Sequence, residues 1–204
     1  MNLPNKLTVL RVVLVPVFLF FLLMPKTPNE VYIPNSYLWA CIVFAVASFT
    51  DYLDGYLARK NNMVTTFGKF LDPLADKMLV TAALVAFVQL GLAGAVPVII
   101  IIARDLMVSA IRMVAVSSDG KVIAANWWGK VKTALQMFAI IGVLLACHIV
   151  RPDTCIIWVN QLGSMIAQSV KFWSNITMWA LAAYTLVSGL VYVFQNKSLI
   201  NTFK

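Results

Sequence analysis

Apolar residues in this chain occur in long continuous runs separated by short polar clusters, not in the alternation of strands or the narrow stripes of surface helices. A run of about 20 apolar residues wound as an α-helix crosses the ~30 Å hydrocarbon core of a bilayer. The first helix is expected to begin near Asn5, after the turn-forming Pro4, and to continue past Arg11 to about Met24. Pro16 lies inside it and marks either a kink or the passage from a short N-terminal interfacial helix into a membrane-crossing one. Three prolines with Asn29 and Glu30 make 25–36 a loop. Further spans are expected over 37–58, 69–91, 96–116, 129–150 and 172–194, with turns at 59–62 and 91–94 and a polar loop at 117–128. The stretch 151–171 reads as a long connection containing an amphipathic piece suited to the membrane interface. The expected architecture is all-α: a polytopic bundle of six transmembrane helices with a short N-terminal interfacial helix.

Composition strengthens that reading. Hydrophobic residues make up 61% of the chain and charged residues only 12%, and the mean hydropathy is +0.86, well outside soluble composition. Six spans with short connections use up 204 residues, so 1–204 is expected to form a single transmembrane domain. The first apolar run lacks a small-x-small cleavage site before Pro25 and is expected to be retained.

The net charge of +8 points, in such a chain, to topology and anionic lipid rather than to nucleic acid. Lys6, Arg11, Arg59, Lys60, Lys69, Lys77, Arg112, Lys121, Lys130, Lys132, Lys197 and Lys204 gather on or near one side of a six-span arrangement. Lys26, Arg151 and Lys171 fall near the other. The positive-inside rule then puts both termini on the cytoplasmic side of a bacterial-type inner membrane. Cys41, Cys147 and Cys155 have no metal-binding spacing and read as packing residues, as does His148.

Half of the eight acidic residues fall between Asp51 and Asp76. Asp51 and Asp54 are three residues apart and Asp72 and Asp76 four apart, so on two helices each pair shares a face, one turn apart. Four carboxylates converging on one place repel unless cations offset them. Hard oxygen ligands with no His or Cys among them suit Mg²⁺, Mn²⁺ or Ca²⁺, not structural zinc. Gly55, Ala58 and Gly68 leave room for a substrate to approach the backbone. The blander alternative is an acidic helix junction resting in interfacial water, which requires neither two helical pairs in register nor the interleaved glycines. Clustered carboxylates with divalent metals, opposite basic residues, suit phosphoryl chemistry on a diphosphate. A remaining carboxylate can then take the proton of an attacking hydroxyl.

The pattern Asp51-x-x-Asp54-Gly55-x-x-Ala58-Arg59, eight residues, then Gly68-x-x-x-Asp72-x-x-x-Asp76 resembles the signature of the CDP-alcohol phosphotransferase family of membrane enzymes. That resemblance implies transfer of a phosphatidyl or similar group from a CDP-linked donor, here CDP-diacylglycerol, to an alcohol with release of CMP. It implies Asp51, Asp54 and Asp72 as metal ligands and Asp76 as general base that also touches a metal, with two Mg²⁺ or Mn²⁺ ions as cofactor. Gly55, Ala58, Arg59 and Gly68 match the positions shaping the CDP pocket, and Asn5 and Thr8 are further candidate nucleotide contacts. It also implies a homodimer embedded in membrane lipid, with its site facing the cytosol.

The acceptor is read from the remaining cations. Arg104, Arg112, Lys130 and Lys132 are many for one bundle unless an anion binds there, and arginine suits phosphate through its two-pronged fork. The plainer readings are that Lys130 and Lys132 anchor a span end at the lipid surface and that Arg104 pairs with Asp105 or a carbonyl. The opening Asn2-Leu3-Pro4-Asn5-x-Leu7-Thr8-x-x-Arg11 and Gly129-Lys130-x-Lys132-Thr133-x-x-Gln136 are similar to the phosphatidylglycerophosphate-forming branch of the family, which implies sn-glycerol 3-phosphate as acceptor. Inositol phosphate, serine and phosphatidylglycerol are the alternatives within the same fold. Outside it stand an ion or metal transporter and an intramembrane aspartyl protease. Against the transporter, the carboxylates lie near one surface and no inverted repeat is visible. A protease would need one isolated pair, not four carboxylates.

Overall fold

The structure, a computed structural model, describes residues 3–24, 35–61, 66–119, 127–150 and 160–195, with side chains over 9–24, 35–50, 77–111, 127–150, 165 and 168–195. These residues form six α-helices: α1 (Leu3–Leu23), α2 (Ser36–Asn61), α3 (Thr66–Gln89), α4 (Ala95–Asp119), α5 (Trp127–Ile149) and α6 (Asn160–Gln195). No strand occurs among the described residues.

Helix bounds and continuity differ from expectation in several places. α1 runs unbroken through Pro16; the proline removes one backbone hydrogen bond without ending the helix. α6 begins at Asn160, not near 172, so most of the expected 151–171 connection is helix; 151–159 lies outside the described residues. α2, α3 and α4 also outrun their apolar stretches. The common cause is that hydropathy reports where hydrocarbon ends, while backbone hydrogen bonding continues a helix into water or headgroups.

α5 (Trp127–Ile149) and the Gln168–Gln195 portion of α6 are long and apolar enough to cross a membrane. The 23 residues of α5 rise about 34 Å at 1.5 Å each, enough for a hydrocarbon core of about 30 Å.

Among the described residues the helices pack as a closed ring in the order α1, α2, α5, α6, α4, α3 and back to α1. Its interior is filled at helical spacing by Phe18 and Leu22 on α1, Ala40, Phe44 and Ala47 on α2, Ala83 and Phe87 on α3, Ile140 and Leu144 on α5, and Met178 and Ala182 on α6. The Phe18 and Phe44 rings meet with centroids 5.7 Å apart. Large apolar residues also cover the outside, among them Phe49, Ile99, Phe138, Trp173 and Phe194. Apolar surface on both faces suits a hydrocarbon surrounding, where small residues and close packing, rather than water exclusion, hold helices together.

The α3–α4 turn is set by Gly91 at φ +67°. Its amide donates to Val88 O at 3.1 Å and the Leu92 amide to Phe87 O at 2.9 Å, the paired bonds that close a helix with a left-handed residue. The Gly94 amide then donates to Asn175 Oδ1 at 3.0 Å, which ties this turn to α6.

Candidate active site

Asp51 and Asp54 lie near the end of α2, and Asp72 and Asp76 near the start of α3. The four-residue connection can span no more than about 18 Å, so the two halves of the motif lie toward the same end of the bundle. Asp51 precedes the end of α2 by ten residues and Asp76 follows the start of α3 by ten, about 15 Å along each helix. Asp51, Asp54, Gly55, Ala58, Arg59, Gly68, Asp72 and Asp76 are all helical, as are Asn5 and Thr8 on α1 and Arg112 on α4, but their side chains lie outside the described residues. Chemically the motif offers oxygen donors in two helical pairs, a set that fits Mg²⁺ or Mn²⁺.

Beside this motif the ring holds a buried polar cluster. Arg104 on α4 is 9% exposed and Lys132 on α5 is 2% exposed. Both turn to Asp105: Arg104 Nη1 donates to its carboxylate at 3.3 Å, and Lys132 Nζ donates to the other carboxylate oxygen. Arg104 Nη2 donates to Ser188 Oγ on α6 at 2.7 Å. Lys77 Nζ, one residue beyond Asp76, donates to the Asp105 carbonyl at 2.5 Å. That bond places the last carboxylate position of the motif next in sequence to a residue touching the cluster.

The predicted cations thus divide. Arg104 and Lys132 come together through Asp105, the pairing weighed for Arg104 from the sequence. Lys130 is exposed and is not brought to the cluster. Arg112 stands seven residues beyond Asp105, two turns along the same line of α4. Three contributors escaped sequence reasoning: Lys77, Ser188 and Gly189. A Cβ on Gly189 would sit 3.1 Å from Arg104 Cγ, so glycine lets the arginine stem lie against α6. The available signal was Lys77 following a motif carboxylate and the small pair Ser188-Gly189 in an otherwise apolar helix.

Some buried donors are unspent. Among the described residues Arg104 Nε has no hydrogen-bond partner, nor does the amide nitrogen of Gln136, one turn along α5 from Lys132 and 3% exposed. Buried donors without partners are uncommon and call for an explanation such as a ligand.

An apolar groove of about 440 Å³ runs alongside, between α1, α3 and α4. Val15, Leu19, Leu23, Met78, Val85, Ala86 and Leu106 line it, with Ala82 and Thr81 on its wall, Lys77 toward the motif end and Gln89 toward the other.

The sequence profile of the family described as CDP-alcohol phosphatidyltransferase matches residues 1–187. The chain belongs to this family. It is 40% identical over 207 aligned positions to the CDP-diacylglycerol–glycerol-3-phosphate 3-phosphatidyltransferase of Bacillus subtilis (strain 168), covering 98% of each chain. The protein of the same name from Haemophilus influenzae is 38% identical, with 93% of this chain and 97% of that one covered. That from Pseudomonas fluorescens is 41% identical over 85% of this chain and 86% of its own. The family assignment makes the chain a transferase, and Lys77, Arg104, Asp105 and Lys132 lie within the matched region.

Proposed function

We propose that this protein transfers the phosphatidyl group of CDP-diacylglycerol to sn-glycerol 3-phosphate, yielding phosphatidylglycerophosphate and CMP in anionic phospholipid synthesis. The observation that carries the acceptor is the buried cluster with its unspent donors, Arg104 Nε and Gln136 Nε2, beside Lys132. Relatives with similarity over nearly the whole chain bear the names of both substrates. The apolar groove supports a donor with hydrocarbon chains.

In this reading Asp51, Asp54, Asp72 and Asp76 hold two Mg²⁺ or Mn²⁺ ions, which when bound supply charge stabilisation for the diphosphate and the departing CMP. Gly55, Ala58, Arg59 and Gly68, with Asn5 and Thr8, receive the CDP moiety. Asp76 takes the proton of the acceptor hydroxyl as its oxygen forms a bond to the phosphatidyl phosphorus. The bond from that phosphorus to the CMP oxygen breaks, and CMP leaves with the electron pair. Arg104, Arg112 and Lys132 hold the acceptor's own phosphate, while exposed Lys130 adds attraction at the same end of the bundle. Six membrane-crossing helices, cytoplasmic termini and site, and a homodimer in the inner membrane complete the proposal.

The test is CMP release from CDP-diacylglycerol with acceptors exchanged one at a time. Glycerol 3-phosphate should support turnover while serine, inositol phosphate and phosphatidylglycerol should not. Preference for any of those three would replace the acceptor and leave the family intact.

A further inference from the structure

One helical turn farther from the motif end than the charged cluster lies a set of uncharged polar side chains. Gln136 follows Lys132 on α5, Thr185 precedes Ser188 on α6, and Ser48 precedes Asp51 on α2. Offsets of three or four residues rise about 4.5–6 Å. α5 runs away from the motif end while α2 and α6 run toward it, so all three offsets point the same way. These helices are consecutive in the ring. Gln136 is 3% exposed and Thr185 0%. Gln136 Nε2, Thr185 Oγ1 and Ser48 Oγ are buried with no hydrogen-bond partner among the described residues.

Other hydroxyls in the structure show how a helix ordinarily satisfies such a group. Thr50, Ser109, Thr133, Ser169 and Thr177 each donate to the carbonyl four residues earlier, at 2.7–3.0 Å. Rotation about χ1 offers that bond to any helical serine or threonine, yet Ser48 and Thr185 leave it unmade. A buried polar group without a partner is costly, and three on adjoining helices next to one cluster call for a common partner. Ser174 Oγ and His148 Nδ1 are also unpartnered among the described residues, but they lie toward the opposite end of the bundle.

We propose that Ser48, Gln136 and Thr185 read the secondary hydroxyl of the acceptor, making the enzyme specific for a three-carbon phosphomonoester with a free hydroxyl on its middle carbon. The inference rests on the reading that the neighbouring cluster takes the acceptor's phosphate. A phosphate held by Arg104 and Lys132 leaves the middle carbon within a helical turn of this tier, and the far primary hydroxyl free to attack. A secondary hydroxyl has one proton to give and two lone pairs to receive bonds. It can accept from Gln136 Nε2 and from one of the two hydroxyls, and donate to the other.

The experiment uses the purified full-length enzyme in detergent micelles with CDP-diacylglycerol, and compares glycerol 3-phosphate with 3-hydroxypropyl phosphate, which lacks only the middle hydroxyl. The wild type should favour glycerol 3-phosphate by about tenfold or more in kcat/KM, because the shorter-handed acceptor leaves buried polar groups unpaired. Gln136→Leu and, separately, Thr185→Val keep the side-chain volume and remove the polar atom. Each should lower kcat/KM about tenfold for glycerol 3-phosphate and no more than about twofold for 3-hydroxypropyl phosphate, narrowing the preference. A role confined to packing or to holding a water would lower both acceptors equally, and that result overturns the proposal. So does a wild type that uses the two acceptors equally well, a measurement that needs no variant to fold. If unphosphorylated glycerol serves as well as glycerol 3-phosphate, the acceptor reading fails and this inference with it. If glycerol 3-phosphate is preferred to glycerol but not to 3-hydroxypropyl phosphate, only the hydroxyl-reading tier falls.

Discussion

Lys130 and Lys132 are two positions apart on α5, about 200° around a helix, and the structure sends one to the exterior and the other to Asp105. The sequence announced both as cations near a span end; helical register separates their surroundings. Arg112, seven residues beyond Asp105 on α4, is on the line of the cluster. Arg112→Gln should raise the KM for glycerol 3-phosphate by roughly one to two powers of ten, since a charge-assisted phosphate bond contributes about 1.5–3 kcal/mol. The KM for CDP-diacylglycerol should hardly move. An equal rise for both substrates in steady-state kinetics would assign Arg112 to the diphosphate or to the fold. Asp76 is the carboxylate nearest in sequence to the cluster, through Lys77. Asp76→Asn should reduce turnover by ~10²-fold or more, as expected for loss of a general base, while CDP-diacylglycerol binding stays measurable. Retention of more than about a tenth of wild-type turnover would remove Asp76 from that role.

At the level of helices, apolar runs located all six elements but misplaced their ends, because solvent polarity and backbone hydrogen bonding change at different points along the chain. α6 shows it most clearly, since its polar first turns 160–171 continue the same helix as its apolar body. The groove between α1, α3 and α4 was not legible at all. It arises where Met78, Ala82, Val85 and Ala86 on α3 face Val15 and Leu19 on α1. A bulky side chain there should obstruct hydrocarbon chains and leave the polar acceptor site untouched. Ala82→Trp is expected to raise the donor KM about tenfold, the effect of losing ~1.4 kcal/mol of apolar contact, with the acceptor KM unchanged. Unaltered donor kinetics with long-chain CDP-diacylglycerol would exclude the groove from donor binding.

For the molecule as a whole, the ring order α1, α2, α5, α6, α4, α3 carries the chemistry, because α4 and α5 both flank α6 and meet across the interior through Asp105 and Lys132. The same order places Lys77 of α3 against α4, so the carboxylate motif and the basic cluster share one end of the bundle. In the proposed site, four carboxylates gathered there would need cationic compensation. Activity is therefore expected to vanish in excess EDTA and to return with Mg²⁺ or Mn²⁺. Full turnover after metal stripping, measured as CMP release, would refute the two-metal reading.

The sequence alone determined the all-helical class and the family and singled out the four aspartates as candidates, since each depends on local information: run length, helical spacing and a motif of eight positions within 26 residues. It also singled out Arg104 and Lys132 as unusual, because charge inside an apolar run is conspicuous wherever the helix ends up. The tertiary structure decided what those cations do. Asp105 is adjacent to Arg104 in sequence but 27 residues from Lys132 and 28 from Lys77, and Arg104 meets Ser188 across 84 residues. Helix periodicity says which face a residue occupies on its own helix, not which helix that face will meet. The order in which six helices close into a ring follows from the fit of their side chains to one another, and only that fit turns separate charges into a cluster.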